Sequence, residues 1–264
     1  MRHQLYALWL HRRALLYLIR WDLQGRYAGS LGGILWSIGL PLLSVGIYIV
    51  VFSLTLEVRM GARPGAGSFG VFLVAGLLPW LAIQDAVNRS ATCLADRRNL
   101  LLQVALPAPL LPLSVTLSAA LQQLIALAVF LVFAWAYGVG PSPLWPALLL
   151  VLPVQVALAA GLALLVSHLH ALARDTGPLV QAALILWFFA TPIVYPYHLV
   201  PTRVRVLVDL NPLVPIVEAY RDLILIGRWP EWTGAVYAAG MAFLLLALGA
   251  ALARAARDQV LECI

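Results

Sequence analysis

The chain has 264 residues, of which 63% are hydrophobic and 11% are charged, and its mean hydropathy is +0.94. This composition excludes an ordinary soluble domain and predicts an integral membrane protein. All 17 lysine-or-arginine positions are arginine, which excludes a lysine-dependent nucleotide-binding loop, and membrane lipid accounts for the net charge of +6 without a nucleic-acid partner.

Residues 1–30 mix arginines with apolar residues and contain no signal-peptide core, so no removable leader is expected. On a helix, Arg13 and Arg20 share one face, whereas Leu15 and Ile19 lie on a neighbouring face. The pattern predicts a cytoplasmic amphipathic helix that lies in the membrane interface. Arg12 falls within the apolar sector, so an ordinary charged lead-in to the first span is the alternative.

Residues 31–257 predict an all-α membrane domain, because six apolar stretches are long enough to cross a bilayer core of about 30 Å. The six predicted spans lie near residues 34–56, 69–91, 113–137, 144–167, 178–197 and 233–253. Between spans five and six, Pro212, Pro215 and apolar pieces too short to span predict two short re-entrant helices. Residues 258–264 are predicted to form a cytoplasmic tail.

An even number of spans places both termini on the same side of the membrane. Of the 17 arginines, 11 lie in the amino-terminal arm, the second and fourth loops and the tail, which predicts that these segments are cytoplasmic. Cys93 and Cys263 then both face a reducing compartment, so no disulfide is predicted.

The sequence offers no convincing set of catalytic residues or metal ligands. His168 and His170 lie two apart and point to different helix faces, which favours interface histidines over a zinc site. Asp85 lies toward the end of a span and Arg89 follows at i+4, so we expect a local ion pair, with a role in transport or partner docking as the alternative. No cofactor is expected in this chain, and the bundle is either passive or driven by another subunit.

Four stretches, in order along the chain, carry motifs of one membrane family. They are Arg26–Pro41 (RYAGSLGGILWSIGLP), Phe72–Leu113 (which contains GLLPW and ADRRN), Ala173–Pro201 (which ends in WFFATPIVYPYHLVP) and Leu210–Leu225 (LNPLVPIVEAYRDLIL). With these motifs, nearly the whole chain resembles the permeases of ABC-2 type exporters that export O-antigen, teichoic acid and capsular polysaccharides. The first motif departs from the family spacing by one residue, and the second has Arg97 and Arg98 where the family often has lysine.

The resemblance implies a homodimer in the bacterial inner membrane that moves lipid-linked or extended polysaccharide such as O-antigen. Two separate ATPase subunits would bind ATP and Mg and drive it, so this chain is expected to be a transport subunit and not an enzyme. The resemblance also makes residues 95–106 the coupling helix that inserts into the ATPase, with its polar positions at Asp96, Arg97, Arg98 and Asn99. A simple basic cytoplasmic loop is the alternative.

A path for an extended glycan should offer rings to the C–H faces of sugars and few fixed charges. The candidates are Tyr48, Phe52, Trp80, Trp187, Phe189, Tyr195 and Tyr197. Consecutive rings on a helix are spread about 100° apart, so not all of them can face the path. For each ring, an interfacial aromatic belt is the alternative.

The resemblance makes the two re-entrant helices an external gate. The gate candidates are Asn211, Pro212, Glu218 and Arg221. Glu218 and Arg221 are expected to pair locally, because they lie three residues apart on a helix.

Two other functions compete with polysaccharide export. An ABC-2 exporter of small lipids or drugs would share the fold, but is expected to lack both the amino-terminal interface helix and the ring-rich fifth span. An intramembrane enzyme of glycolipid metabolism would need a catalytic acid, base or metal.

Overall fold

The computed structural model describes residues 11–26, 35–36, 39, 43, 46–47, 69–104, 106–257 and 259. The regular elements of these residues are all helical. They are α1 (Arg12–Gly25), α2 (Phe69–Asp96), α3 (Arg98–Val104), α4 (Leu110–Ala136), α5 (Leu148–Leu172), α6 (Thr176–Ala190), α7 (Thr202–Asp209), α8 (Leu213–Arg221) and α9 (Trp232–Ala255), with a π-helical turn at Asp222–Ile226 and 3-10 turns at Trp145–Ala147 and Tyr197–Leu199. Tyr48, Phe52 and most of the predicted first span and tail lie outside the described residues.

Four helices of the described part of the chain are long and apolar enough to cross a membrane: α2, α4, α5 with its preceding turn, and α9. These helices coincide with the stretches 69–91, 113–137, 144–167 and 233–253 that were predicted as spans. Helix α2 continues past its predicted end to Asp96, so its 28 residues extend about 42 Å, which is longer than a hydrocarbon core of about 30 Å.

The predicted fifth span, 178–197, is wrong at its second boundary. Helix α6 has 15 residues and stops at Ala190, because Thr191 is extended (φ −102°, ψ 134°) and Pro192 and Pro196 follow. Proline lacks an amide hydrogen and disfavours helical geometry in the residue before it, so the apolar run continues but the helix does not. At 1.5 Å per residue α6 is about 22 Å long, which is shorter than the hydrocarbon core.

Helix α2 is the most deeply buried of the four long helices, and α9 is the most peripheral. The core contains α2 packed against α4, α5, α6 and α8. One end of α2 contacts α8 through Phe72, and the other contacts α1 through Arg89. We call these the rim end and the α1 end of the bundle.

Helices α5 and α9 approach closely at two glycines. A Cβ atom built on Gly161 would lie 2.5 Å from the backbone nitrogen of Leu246, and one on Gly249 would lie 2.7 Å from the carbonyl oxygen of Gly161. Such distances are closer than a methyl group permits, so the two backbones touch where neither residue has a side chain. Small residues at a crossing point allow this packing between membrane helices.

We expect Gly161→Ala to destabilise the α5–α9 contact, because the new methyl group meets backbone atoms that cannot move aside. Overpacking of this kind costs about 1–3 kcal/mol, so the midpoint of thermal unfolding in detergent should fall by several degrees. Gly240→Ala in α9 is the matched control, since a Cβ there meets no atom of the described chain within 4 Å. Equal unfolding midpoints for the two variants would contradict this packing.

Candidate functional site

The end of α6 is fastened to the start of α8 by one asparagine. The amide of Asn211 donates to the Thr191 hydroxyl (2.8 Å), and its carbonyl oxygen accepts from the Trp187 indole (2.9 Å) and from the Leu213 backbone amide (3.0 Å). Thr191 in turn donates to the Trp187 carbonyl (2.8 Å). Asn211 is buried, so these bonds satisfy polar groups that water does not reach.

A buried arginine holds the unwound segment after α6. The Arg221 guanidinium donates to the carbonyl oxygens of Pro192 (2.7 Å) and Ile193 (2.6 Å). It also pairs with Glu218 (2.7 Å) and lies over the Phe72 ring, 3.7 Å from the ring centre. The predicted Glu218–Arg221 pair is confirmed. In addition, Arg221 binds two backbone carbonyls, which the sequence did not predict. Buried backbone carbonyls outside a helix need such a partner, and the planar guanidinium can serve both carbonyls at once.

Gly76 makes room for this arginine. A Cβ atom at Gly76 would lie 2.7 Å from an Arg221 guanidinium nitrogen, so a side chain there would displace the cation. Gly76 is the first residue of the sequence GLLPW. The close approach of Arg221 explains why this residue is a glycine. Sequence reasoning did not connect Gly76 with Arg221, because they lie far apart along the chain.

Three candidate path rings form an aromatic cluster with Phe188 between α2 and α6. They are Trp80, Trp187 and Phe189. The Trp80 ring contacts Trp187 edge-on (5.7 Å between centres, 86°) and Phe188 at 5.6 Å, and Phe188 contacts Phe189 at 5.2 Å. Trp80 is buried, Trp187 and Phe188 are half-buried, and Phe189 is 67% exposed. The consecutive rings therefore face different directions, as the helical spacing predicts.

A cavity of about 240 Å³ lies beside this aromatic cluster. Its walls come from α2, α6 and the segment that follows α6, and they include Trp80, Gln84, Leu184, Phe188 and Val194. The cavity thus combines ring surface with one amide and no fixed charge. Ring surface and the absence of fixed charge are the properties expected of a glycan path.

Tyr195 and Tyr197 belong to a separate cluster, with Val200, Val208 and Val214. The Tyr195 hydroxyl donates to the Phe189 carbonyl (3.0 Å), and the Tyr197 hydroxyl donates to Asp209. The hydrogen bond to Asp209 raises the pKa of Tyr197, which keeps its hydroxyl protonated. These two tyrosines therefore lie at the loop between α6 and α7 and do not join the Trp80 cluster.

Gln123 and Gln155 form a buried, hydrogen-bonded pair inside the bundle, the glutamine clasp. Sequence reasoning did not predict this pair. Gln123 donates to Gln155 (3.0 Å) and to the Tyr220 hydroxyl (2.8 Å), and Gln155 donates back to Gln123 (2.7 Å) and to the Pro79 carbonyl (3.2 Å). The clasp joins α4, α5, α8 and α2. Its signal in the sequence is a glutamine within each of two apolar spans, because an unpaired amide is unfavourable in hydrocarbon.

At the α1 end, five charged side chains form a second constellation, the basal charge cluster. Asp22 of α1 accepts from Arg89 (2.7 Å) and from Arg97 (2.7 Å), and Asp85 accepts from Arg26 (2.5 Å) and from Arg89 (3.2 Å). The predicted Asp85–Arg89 pair is confirmed. The Arg97 guanidinium also lies 5.0 Å from the centre of the Trp21 ring. The cluster therefore holds α1 against the last turns of α2.

The four predicted coupling residues divide into two groups. Arg97 forms the break between α2 and α3 and is held by Asp22, so it points into the protein. Asp96, Arg98 and Asn99 are exposed, and Asp96 accepts a hydrogen bond from Thr92 of the preceding turn. The short helix α3 therefore begins directly after Arg97, which is held by Asp22 of α1. Its residues Arg98 and Asn99 are exposed.

Asp22 stays ionised at physiological pH. Its burial acts to raise the pKa, but the hydrogen bonds and charges of Arg89 and Arg97 outweigh burial and hold the pKa below its usual range. A carboxylate with a depressed pKa stabilises the folded state above the unfolded pKa, and that stabilisation is lost only as the pH falls through the lower folded value.

Among the described residues, no group of three histidines, cysteines, aspartates or glutamates could hold a metal ion.

We expect Asp22→Asn to loosen α1, because the variant loses two charge-assisted bonds that contribute about 1.5–3 kcal/mol each. Tryptic cleavage after Arg20 should therefore accelerate roughly tenfold or more, since cleavage follows the population of the opened helix. Asp96→Asn is the matched control, because Asp96 is exposed and its hydrogen bond in the described part of the chain is to Thr92 of its own helix. Equal cleavage rates for both variants would show that the basal charge cluster does not hold α1.

Comparison with known proteins places these features in a family. A family model described as an ABC-2 type transporter matches residues 13–225. The O-antigen export system permease protein RfbA of Myxococcus xanthus is 29% identical over 261 residues, which is 97% of each chain, and RfbA of Klebsiella pneumoniae is 29% identical over 229 residues, or 86% of each chain. The polysialic acid transport protein KpsM of Escherichia coli is 24% identical over 245 residues, or 91% of this chain and 92% of that one.

Proposed function

The chain belongs to the ABC-2 type transporter family, and we propose that it is the membrane subunit of an ATP-driven exporter of lipid-linked or extended polysaccharide. The named relatives, which align over most of their length, are export permeases for O-antigen and a transport protein for polysialic acid. A homodimer of this chain, with two ATPase subunits that bind ATP and Mg, would form the complete machine. Its amino terminus and α3 would face the cytoplasm, as the arginine distribution predicts.

The proposal rests on the position of α3, which directly follows an arginine that is held by α1. A membrane subunit driven by another protein needs a short exposed element that moves with the helices above it. Helix α3 follows the break at Arg97, and Asp22 holds that arginine against α1. A force applied to the exposed residues of α3 would therefore act on α2 and α1 together.

The aromatic cluster supports a sugar as the cargo. A glycan that slides needs several weak contacts of similar strength, and ring faces provide them without fixed charge. Trp80, Phe188 and Gln84 surround the cavity between α2 and α6, and Phe189 extends the ring surface outward. Tyr195 and Tyr197 would continue the surface along the loop toward the gate formed by α7 and α8.

We expect Arg98→Glu to uncouple the complex. A reversed charge on the exposed start of α3 should lower glycan-stimulated ATP hydrolysis by the purified complex at least tenfold, whereas the chain without its ATPase subunit should hydrolyse no ATP. Arg257→Glu is the matched control, because Arg257 is also exposed and follows α9 at the α1 end. If both variants lose the same activity, α3 is not the docking element.

The path can be tested with two of its candidate rings, one on α6 and one in the loop that follows it. We expect Phe189→Ala and Tyr197→Ala each to slow glycan export roughly two- to tenfold, because a ring contact contributes about 0.5–1.5 kcal/mol. Tyr197→Phe keeps the ring and loses the bond to Asp209, so it should retain export if the ring face is what matters. Trp232→Ala removes a ring that is 75% exposed on α9 and should leave the export rate unchanged. Export by both alanine variants at the wild-type rate would exclude these rings from the path.

A further inference from the structure

An apolar groove of about 450 Å³ lies on the bundle between α1, α4, α5 and α9. Its walls are almost entirely aliphatic or aromatic, and they include Leu15, Leu113, Ala157, Phe243, Leu246 and Ala250. Thr116 also lines it, but its hydroxyl donates to the Pro112 carbonyl within its own helix (2.9 Å). The groove therefore offers a ligand hydrophobic surface and no polar partner inside.

A cationic side chain lies beside one wall of the groove. The Nε of Arg254 donates to the carbonyl oxygen of Ala250, a residue of the groove wall, at 3.2 Å, and Arg254 is exposed. Apolar walls beside an exposed guanidinium group match an amphiphile that has a long aliphatic chain and an anionic head.

We propose that this groove binds one acyl chain of an anionic membrane phospholipid, with its phosphate held by Arg254. The volume lies within the range of about 300–1,000 Å³ that is usual for a small-molecule site, which suits one aliphatic chain. The lipid would fill the space between α1 and α9. It would thereby help to hold the helix that carries Asp22.

The position of the groove favours a membrane lipid over the lipid carrier of a transported glycan. None of its described wall residues belongs to α2 or α6, which hold the aromatic cluster and the cavity beside it. A lipid in the groove therefore lies outside the proposed glycan path. The inference rests on the groove and on Arg254, so it does not depend on the proposed function.

The test is lipid retention by the full chain, measured by native mass spectrometry after transfer from vesicles of phosphatidylcholine and phosphatidylglycerol in equal amounts. We expect retention of phosphatidylglycerol over phosphatidylcholine, with each arginine at the membrane surface contributing roughly fivefold. Arg254→Gln should reduce the preference by about that factor. Arg203→Gln, an exposed arginine of α7, should leave it unchanged.

A second pair of variants tests the groove itself. Ala247→Phe places a ring in the groove and should abolish retention of the bound lipid, whereas Leu248→Phe, on the adjacent exposed face of α9, should not. Equal retention of the two phospholipids, or equal retention by the two phenylalanine variants, would overturn the proposal. Displacement of phosphatidylglycerol by a polyisoprenyl phosphate, or a change of oligomeric state in Ala247→Phe alone, would show that the occupant is a different one and would overturn it as well.

Discussion

The rim end of the structure depends on the burial of one cation. A guanidinium group among apolar helices is strongly unfavourable unless its charge is paired and its donors are hydrogen-bonded. The terminal nitrogens of Arg221 donate to Glu218 and to the carbonyls of Pro192 and Ile193, and the cation lies over the Phe72 ring, whereas its buried Nε has no hydrogen-bond partner among the described residues. Those carbonyls are available because the helix has already ended before Pro192. The end of α6, the position of α8 and the glycine at 76 are therefore one arrangement, and no part of it could change alone.

Helix α2 joins this arrangement to the α1 end. Its first turns supply Phe72 and Gly76 to Arg221, its middle supplies the Pro79 carbonyl to the glutamine clasp, and its last turns supply Arg89 to Asp22. Each contact is specific and directional, unlike the aliphatic packing that surrounds it. A displacement of α2 would therefore disturb contacts at both ends of the bundle, which is the mechanical property that the proposed exporter needs.

The sequence predicts the local features of this structure well and the distant ones poorly. Hydropathy alone places four of the long helices, and residue spacing alone predicts the Asp85–Arg89 and Glu218–Arg221 pairs, because their partners lie within one helical turn. The second boundary of the fifth span is wrong as a helix end, because the apolar composition continues beyond the proline at which the helix has stopped. The pairing of Asp22 with Arg97 spans 75 residues, and no helical periodicity can report such a contact. The glutamine clasp has a signal in the sequence, but its partners become evident only when the helices are assembled.

The basal charge cluster also limits how α3 can be controlled. Because Arg89 and Arg97 hold the pKa of Asp22 below its usual range, protonation cannot release α1 at any pH near neutrality. The ion pairs are partly buried, so salt screens them less than it would screen pairs on an open surface. Neither pH nor ionic strength is therefore a suitable signal for this junction. In the proposed complex, a change in its geometry would come from mechanical work on α3 by an ATPase subunit that contacts Arg98 and Asn99.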